Sequence, residues 1–149
     1  MTTATQNQQS IETVEIQKAI DIAAPIEIAF EAMLDELGPD AQMMDGTPMP
    51  FKLEAWPGGR WFRDLGNNTG HLWGHVQVIK PPKLLEICGP MMMSYPVAAH
   101  LQIRLTQIAD GTLLALRHRA LGMIDDKHRQ GVSMGWQKII EHIKAGAEK

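Results

Sequence analysis

The chain has 149 residues, enough for one domain with a real core, and its 44% hydrophobic and 21% charged content is that of a globular protein. A formal net charge of −3 gives no case for nucleic acid or an anionic membrane as the main partner, and no apolar run approaches a bilayer span. Cys88 is the single cysteine, which excludes an intrachain disulfide and fits a reducing compartment, so with no signal-peptide pattern at the N-terminus the expected location is cytoplasmic.

Residues 1–10 are polar and aperiodic and are expected to be a disordered tail, with residues 11–149 forming a single domain. From Ile11 to Ile22, Val14, Ile16, Ile20 and Ile22 predict a strand with some loss of register near Lys18. Pro25 is expected at the first position of a helix whose stripe is Ile26, Phe30, Met33, Leu34 and Leu37, closed by Gly38-Pro39. The loop 38–50 carries three methionines and is long for a compact domain, which favours a functional role. Phe51, Leu53 and Ala55 alternate as a strand, and Pro57-Gly58-Gly59 marks a turn or bulge. A strand over 60–65 meets the hairpin signal Gly66-Asn67-Asn68, and Leu72 to Ile79 follows. Leu84 to Cys88 is a short strand, and Met91-Met92-Met93 with Tyr95-Pro96 form a second unusual loop. Leu101, Ile103 and Leu105 define one half-buried strand; Leu114, Leu116 and His118 share a face of the next, with Asp110-Gly111 as the turn between.

The last stretch, Asp125 to Lys149, organises the rest. Val132, Trp136, Ile139, Ile140 and Ile143 form one apolar helical stripe, and Asp125 and Asp126 suit its N-terminal end. Gly131 and Gly135 beside that stripe present no side chain, so where the helix meets the sheet either very close packing or empty space, which would be a pocket, is expected. Strand, helix, about six antiparallel strands and a long helix make an α+β fold, a curved sheet gripping a helix.

Ala24-Pro25 with Phe30, Gly58-Gly59-Arg60 running into Trp61-Phe62, Gly74 and Val76 before Pro81-Pro82, Gly111-Thr112 and Gly135-Trp136 occur in an order and spacing that resemble the START-like (Bet v 1-like, SRPBCC) superfamily. The most similar branch is the homologues of the activator of heat-shock protein 90 ATPase. The resemblance spans roughly residues 12–146 and implies the helix-grip fold with a cavity between sheet and long helix, used for many apolar ligands. It implies no shared catalytic residue. The eukaryotic co-chaperone has a separate N-terminal domain that engages the chaperone; only about ten residues precede the first strand here, so ATPase stimulation is not implied, and a chaperone partner is possible but not supported. A tryptophan common in the family after the first helix is replaced here by Met43, Met44 and Met49.

His118 is the most interesting polar residue, read either as a pocket hydrogen-bonding group or acid/base, or as a locally satisfied structural histidine. His71 and His75, four apart on a strand, lie about 13 Å from each other, too far to share one metal ion. Arg60, Arg63 and Asp64 flank Trp61 and Phe62; an inward arginine would grip a ligand carboxylate, an outward one would make a solvated ion pair, and the Gly-Gly step leaves the parity open. His128 lies at the cavity rim or in solvent, and Met91 and Tyr95 line a pliable entrance or cap the sheet. The preferred function is binding of a small apolar or amphipathic molecule, with no cofactor and no metal. Its candidate lining is Trp61, Phe62, Arg63, Met91, Tyr95, Arg104, His118, His128, Gly131, Gly135 and Trp136. The alternatives are a polyketide-cyclase-like enzyme using His118 with Arg63 or Arg104 on an enolizable ligand, and a co-chaperone-like interaction module. The sequence assigns no oligomeric state.

Overall fold

The computed structural model describes residues 10–91, 94 and 96–149; the expected tail, Met92, Met93 and Tyr95 lie outside the described residues, apart from Ser10. The elements run β1 (Glu12–Ile22), α1 (Ile26–Leu37), β2 (Lys52–Leu53), β3 (Arg60–Gly66), β4 (Thr69–Lys80), β5 (Leu84–Gly89), β6 (Val97–Ile108), β7 (Gly111–Gly122) and α2 (Asp126–Ala147). All strands join one curved antiparallel sheet in the order β1-β7-β6-β5-β4-β3-β2, an α+β helix-grip fold.

The sheet is anchored by β6 and β7. They pair without interruption from Val97↔Gly122 to Ile108↔Gly111, and β1 extends that ladder along the other edge of β7 from Glu12↔Gly122 to Ile22↔Thr112. Alternation then puts Leu101, Ile103, Leu105, Leu114, Leu116 and His118 on the inner face, each at most 2% exposed. The expected slip at Lys18 does not occur. Lys18 faces Leu116 in register, half-buried, and its long aliphatic stem lets an ammonium share an apolar face.

Helix α2 lies along β1 and is tied to it at both ends. Arg129 donates to the Thr13 carbonyl, Lys144 donates to the Asp21 carbonyl, and the Glu148 carboxylate accepts from the Ala23 N–H, all within 2.7–2.8 Å. Asp125 caps α2 by accepting from the Lys127 N–H at 2.8 Å. Its inner stripe, Val132, Trp136, Ile140 and Ile143, is at most 2% exposed, whereas Ile139 is only half-buried. Pro25 sits one position earlier than expected, as the N-cap of α1 rather than its first residue. The Phe51–Ala55 strand shrinks to Lys52–Leu53, because Phe51 turns into the core and Trp56 leaves for solvent.

Two local features shape the far edge of the sheet. Asn67 and Asn68 both adopt left-handed backbone, φ 53° and 60°, as the tight β3–β4 turn requires. Then Trp61 pairs with Gly74 but Phe62 with Leu72, which makes Trp73 an extra residue, a β-bulge. Gly74 is obligatory beside it: a Cβ there would lie 2.7 Å from both the Cys88 carbonyl oxygen and an Ile87 methyl.

Trp136 is the contact through which α2 grips the sheet. Trp136→Ala is expected to cost about 3–5 kcal/mol in a urea titration, the range for truncating a large core aromatic; an unchanged denaturation midpoint would contradict this grip.

Candidate functional site

The bulge determines what faces inward at the β3–β4 edge. Trp61 is on the inner face, 2% exposed, and its Nε1–H donates to the Leu37 carbonyl at 2.7 Å, fixing the end of α1 to the sheet. Trp73, turned inward by the bulge, packs edge-on against Trp61 (centroids 5.2 Å apart, 82°) and against Phe51 (4.5 Å, 63°). Past the bulge, Phe62 and Leu72 pair with each other, as do Arg63 and His71. Phe62 belongs to the convex face, with the Arg60 guanidinium 4.6 Å and the Lys52 ammonium 5.9 Å from its ring centroid. Arg63 and His71 take the opposite, inner parity.

These residues enclose a pocket of about 330 Å³ at the end of the sheet, lined by Met49, Phe51, Arg63, His71, Leu72, Trp73, Met91 and Ser94. Its floor is aromatic and its side wall is thioether. Met91, 2% exposed, is held against the bulge by its N–H, which donates to the Trp73 carbonyl at 2.8 Å, and takes a left-handed φ of 57° to do so. The polar rim is Arg63 and His71. Three cations crowd this edge, and two are neutralised: Arg60 by a bidentate pair with Glu54 at 2.7–2.8 Å, Lys52 by Asp64 at 3.1 Å. Arg63, half-buried, has no ion pair or hydrogen bond among the described residues, and no carboxylate lines the pocket.

His118 occupies a separate place, fully buried between β7 and α2. Its Nδ1 accepts from the Trp136 Nε1–H at 2.7 Å, with the rings edge-on at 5.6 Å. Nδ1 as acceptor requires the proton of the neutral ring on Nε2, and Nε2 is buried without a hydrogen-bond partner among the described residues. Burial pushes the pKa down to about 4, so the ring is neutral around pH 7. At Nδ1 the histidine is thus partnered by an indole on the gripping helix and not by backbone.

The remaining candidates do not converge on it. Arg104 is exposed on the convex face, cross-strand from Leu84 and Ala115, because it alternates with the buried Ile103 and Leu105; it cannot share a chamber with His118. The space directly beneath α2 is occupied by Val132, Trp136 and Ile140. Gly131 is exposed and Gly135 half-buried, and a Cβ on either meets nothing within 4 Å, so the room they leave is at the open side of the helix rather than under its stripe. His128 is half-buried in the first turn of α2, and Tyr95 lies outside the described residues. Phe62 faces away from the pocket, whereas Met49, Phe51, His71 and Trp73 belong to it without having been singled out as lining from the sequence. His71 and His75 fall on opposite faces, since they pair with Arg63 and Arg60; among the described residues no group of three His, Cys, Asp or Glu side chains is placed to hold a metal. No helix among them is long and apolar enough to cross a membrane.

The buried histidine makes stability pH-dependent in a defined direction. Above about pH 6.5 His118 is neutral in both folded and unfolded chains; between about 6.5 and 4 only the unfolded chain takes up the proton, so stability falls as pH falls, by up to about 3 kcal/mol. Glu36, beside His142 at the α1–α2 contact, opposes this trend: burial, then Asp40, raises its pKa to about 7, so its contribution is lost as pH rises. The difference between wild type and His118→Phe in urea titrations from pH 4 to 8 isolates the histidine. That difference should shrink steadily toward acid; a constant difference would contradict the burial of a neutral ring.

Residues 23–148 match the model of the activator of Hsp90 ATPase homolog 1-like protein family. A protein from Rhizobium leguminosarum of uncharacterized function superposes with a TM-score of 0.73 at 15% identity, over 95% of this chain and 99% of that one. The Aha1 dimer from Colwellia psychrerythraea gives 0.63 at 15% identity over 91% and 96%, and CalU16 from Micromonospora echinospora 0.61 at 20% over 93% and 87%. At these identities the likeness is one of fold. No curated protein matches the sequence significantly.

Proposed function

The chain belongs to the activator of Hsp90 ATPase homolog 1-like family, and from its pocket we propose that it binds one small apolar or amphipathic molecule at the end of the sheet beside β3 and β4, without transforming it. The observation that carries this reading is the inward turn of Trp73, which with Phe51 builds an aromatic floor open to solvent on one side, while Trp61, expected from the sequence to line a pocket, is buried behind them as their packing partner. The lining joins aromatic and thioether side chains to Arg63, His71 and Ser94, and this mixed surface suits an amphipathic guest better than a purely apolar one. A cyclase-type enzyme pairing His118 with Arg63 or Arg104 is not favoured, because His118 is sealed beneath α2 and does not line the pocket whose rim carries Arg63, and Arg104 is on the other face of the sheet. The volume supports a modest ligand. At about 30 Å³ per water-sized atom, 330 Å³ holds about ten non-hydrogen atoms.

An uncharged probe of that size, 4-phenylbutan-1-ol, is expected to bind at one per chain with an affinity of about 0.1–1 mM, followed by tryptophan fluorescence and by ligand-observed NMR. Trp73→Ala should weaken binding at least tenfold by removing the floor. Gly135→Leu, which fills space at α2, should leave it unchanged. The reverse pattern, loss with Gly135→Leu and none with Trp73→Ala, would move the site under the helix and overturn the proposal.

A further inference from the structure

Within that binding reading, on which this step rests, we infer that the molecule held in the pocket carries a carboxylate, gripped by Arg63 at the rim while its apolar body lies on Trp73, Phe51 and Met91. Four observations lead there. Arg63 is the cation at this edge left without a carboxylate among the described residues, whereas Arg60 and Lys52 each have one. Bulge parity, not chance exposure, puts it on the pocket side: it pairs with His71 while Phe62 and its two cations take the convex face. It is half-buried beside an apolar floor, where a charge–charge hydrogen bond is less screened than in open water. No acidic side chain lines the pocket, so an anion entering it meets no repulsion there.

The chemistry of the head group follows from the donor set. One guanidinium presents two parallel N–H groups that match the two oxygens of a planar carboxylate and balance its single charge. A phosphate monoester, with up to two charges and three oxygens, asks for more donors than Arg63 and a neighbouring His71 ring supply. The pocket volume accommodates an inserted body of about ten non-hydrogen atoms with the head group at the open rim, so the class is a short aryl- or alkyl-carboxylic acid rather than a long-chain fatty acid.

The test compares 4-phenylbutanoate, 4-phenylbutan-1-ol and 4-phenylbutyl phosphate on the full chain by calorimetry and ligand-observed NMR. The carboxylate should bind about tenfold tighter than the alcohol, with the advantage shrinking as salt is raised. Arg63→Met should bring the carboxylate down to the affinity of the alcohol without changing that of the alcohol, and Trp73→Ala should weaken both alike. Equal binding of acid and alcohol, or an acid preference that survives Arg63→Met, would overturn the carboxylate assignment while leaving the pocket intact. Tightest binding of the phosphate would also overturn it. If none of the three binds, the pocket reading itself fails, and this inference with it.

Discussion

The fold depends on one helix being held down on one strand pair. Trp136 of α2 is fully buried, and its indole N–H finds its partner not in backbone but in the ring of His118 on β7. A buried indole donor left unpaired costs free energy comparable to a lost hydrogen bond, and the same bond decides which nitrogen of His118 carries the proton. The arrangement is therefore reciprocal: the helix needs the neutral histidine, and the histidine is kept neutral because the helix excludes water. Arg129 and Lys144 then fix the direction of α2 along β1 by bonding carbonyls at its two ends. What remains of His118, an Nε2–H without a partner among the described residues, is the cost of putting an imidazole where apolar residues surround it.

The pocket arises at the opposite edge of the sheet, from a different constraint. An extra residue of β4 against β3 turns Trp73 inward and, by the same step, brings His71 opposite Arg63 on the inner face and Leu72 opposite Phe62 on the other. Gly74 makes the step sterically possible, since β5 approaches there too closely for any side chain. Met91 bonds the bulged strand from the next loop. Without the bulge, a tryptophan would point to solvent and the β3–β4 edge would lack its floor. Pocket and grip thus lie in separate parts of the same sheet, so the core is close-packed under α2 while the β3–β4 edge stays open.

The architecture was legible in the sequence because its main elements are regular. The stripe through Val132, Trp136 and Ile143 and the strict alternation of β6 and β7 each specify an element and its buried face, and the parity of His118 with Leu114 and Leu116 already put it inside. Alternation also held the signal that Arg104 points outward, opposite Ile103 and Leu105. The pocket was legible only in two of its residues, Arg63 and Met91, and not in its position. A bulge is set by cross-strand register, and the Gly58-Gly59 step drew attention to a turn while the parity actually breaks at Trp73. Gly135 misled in a related way: absent side chains beside an apolar stripe mark space, but not on which side of the helix it lies.

The chain has four tryptophans, and their indole N–H groups report independently on the two regions: Trp73 and Trp61 at the pocket, Trp136 under α2, Trp56 in solvent. A proton–nitrogen NMR titration with 4-phenylbutan-1-ol therefore reads directly where a small molecule goes. The account predicts that the Trp73 signal moves most, the Trp61 signal less, and those of Trp136 and Trp56 stay in place. A shift centred on Trp136, with Trp73 unmoved, would place the ligand beneath the helix and contradict it.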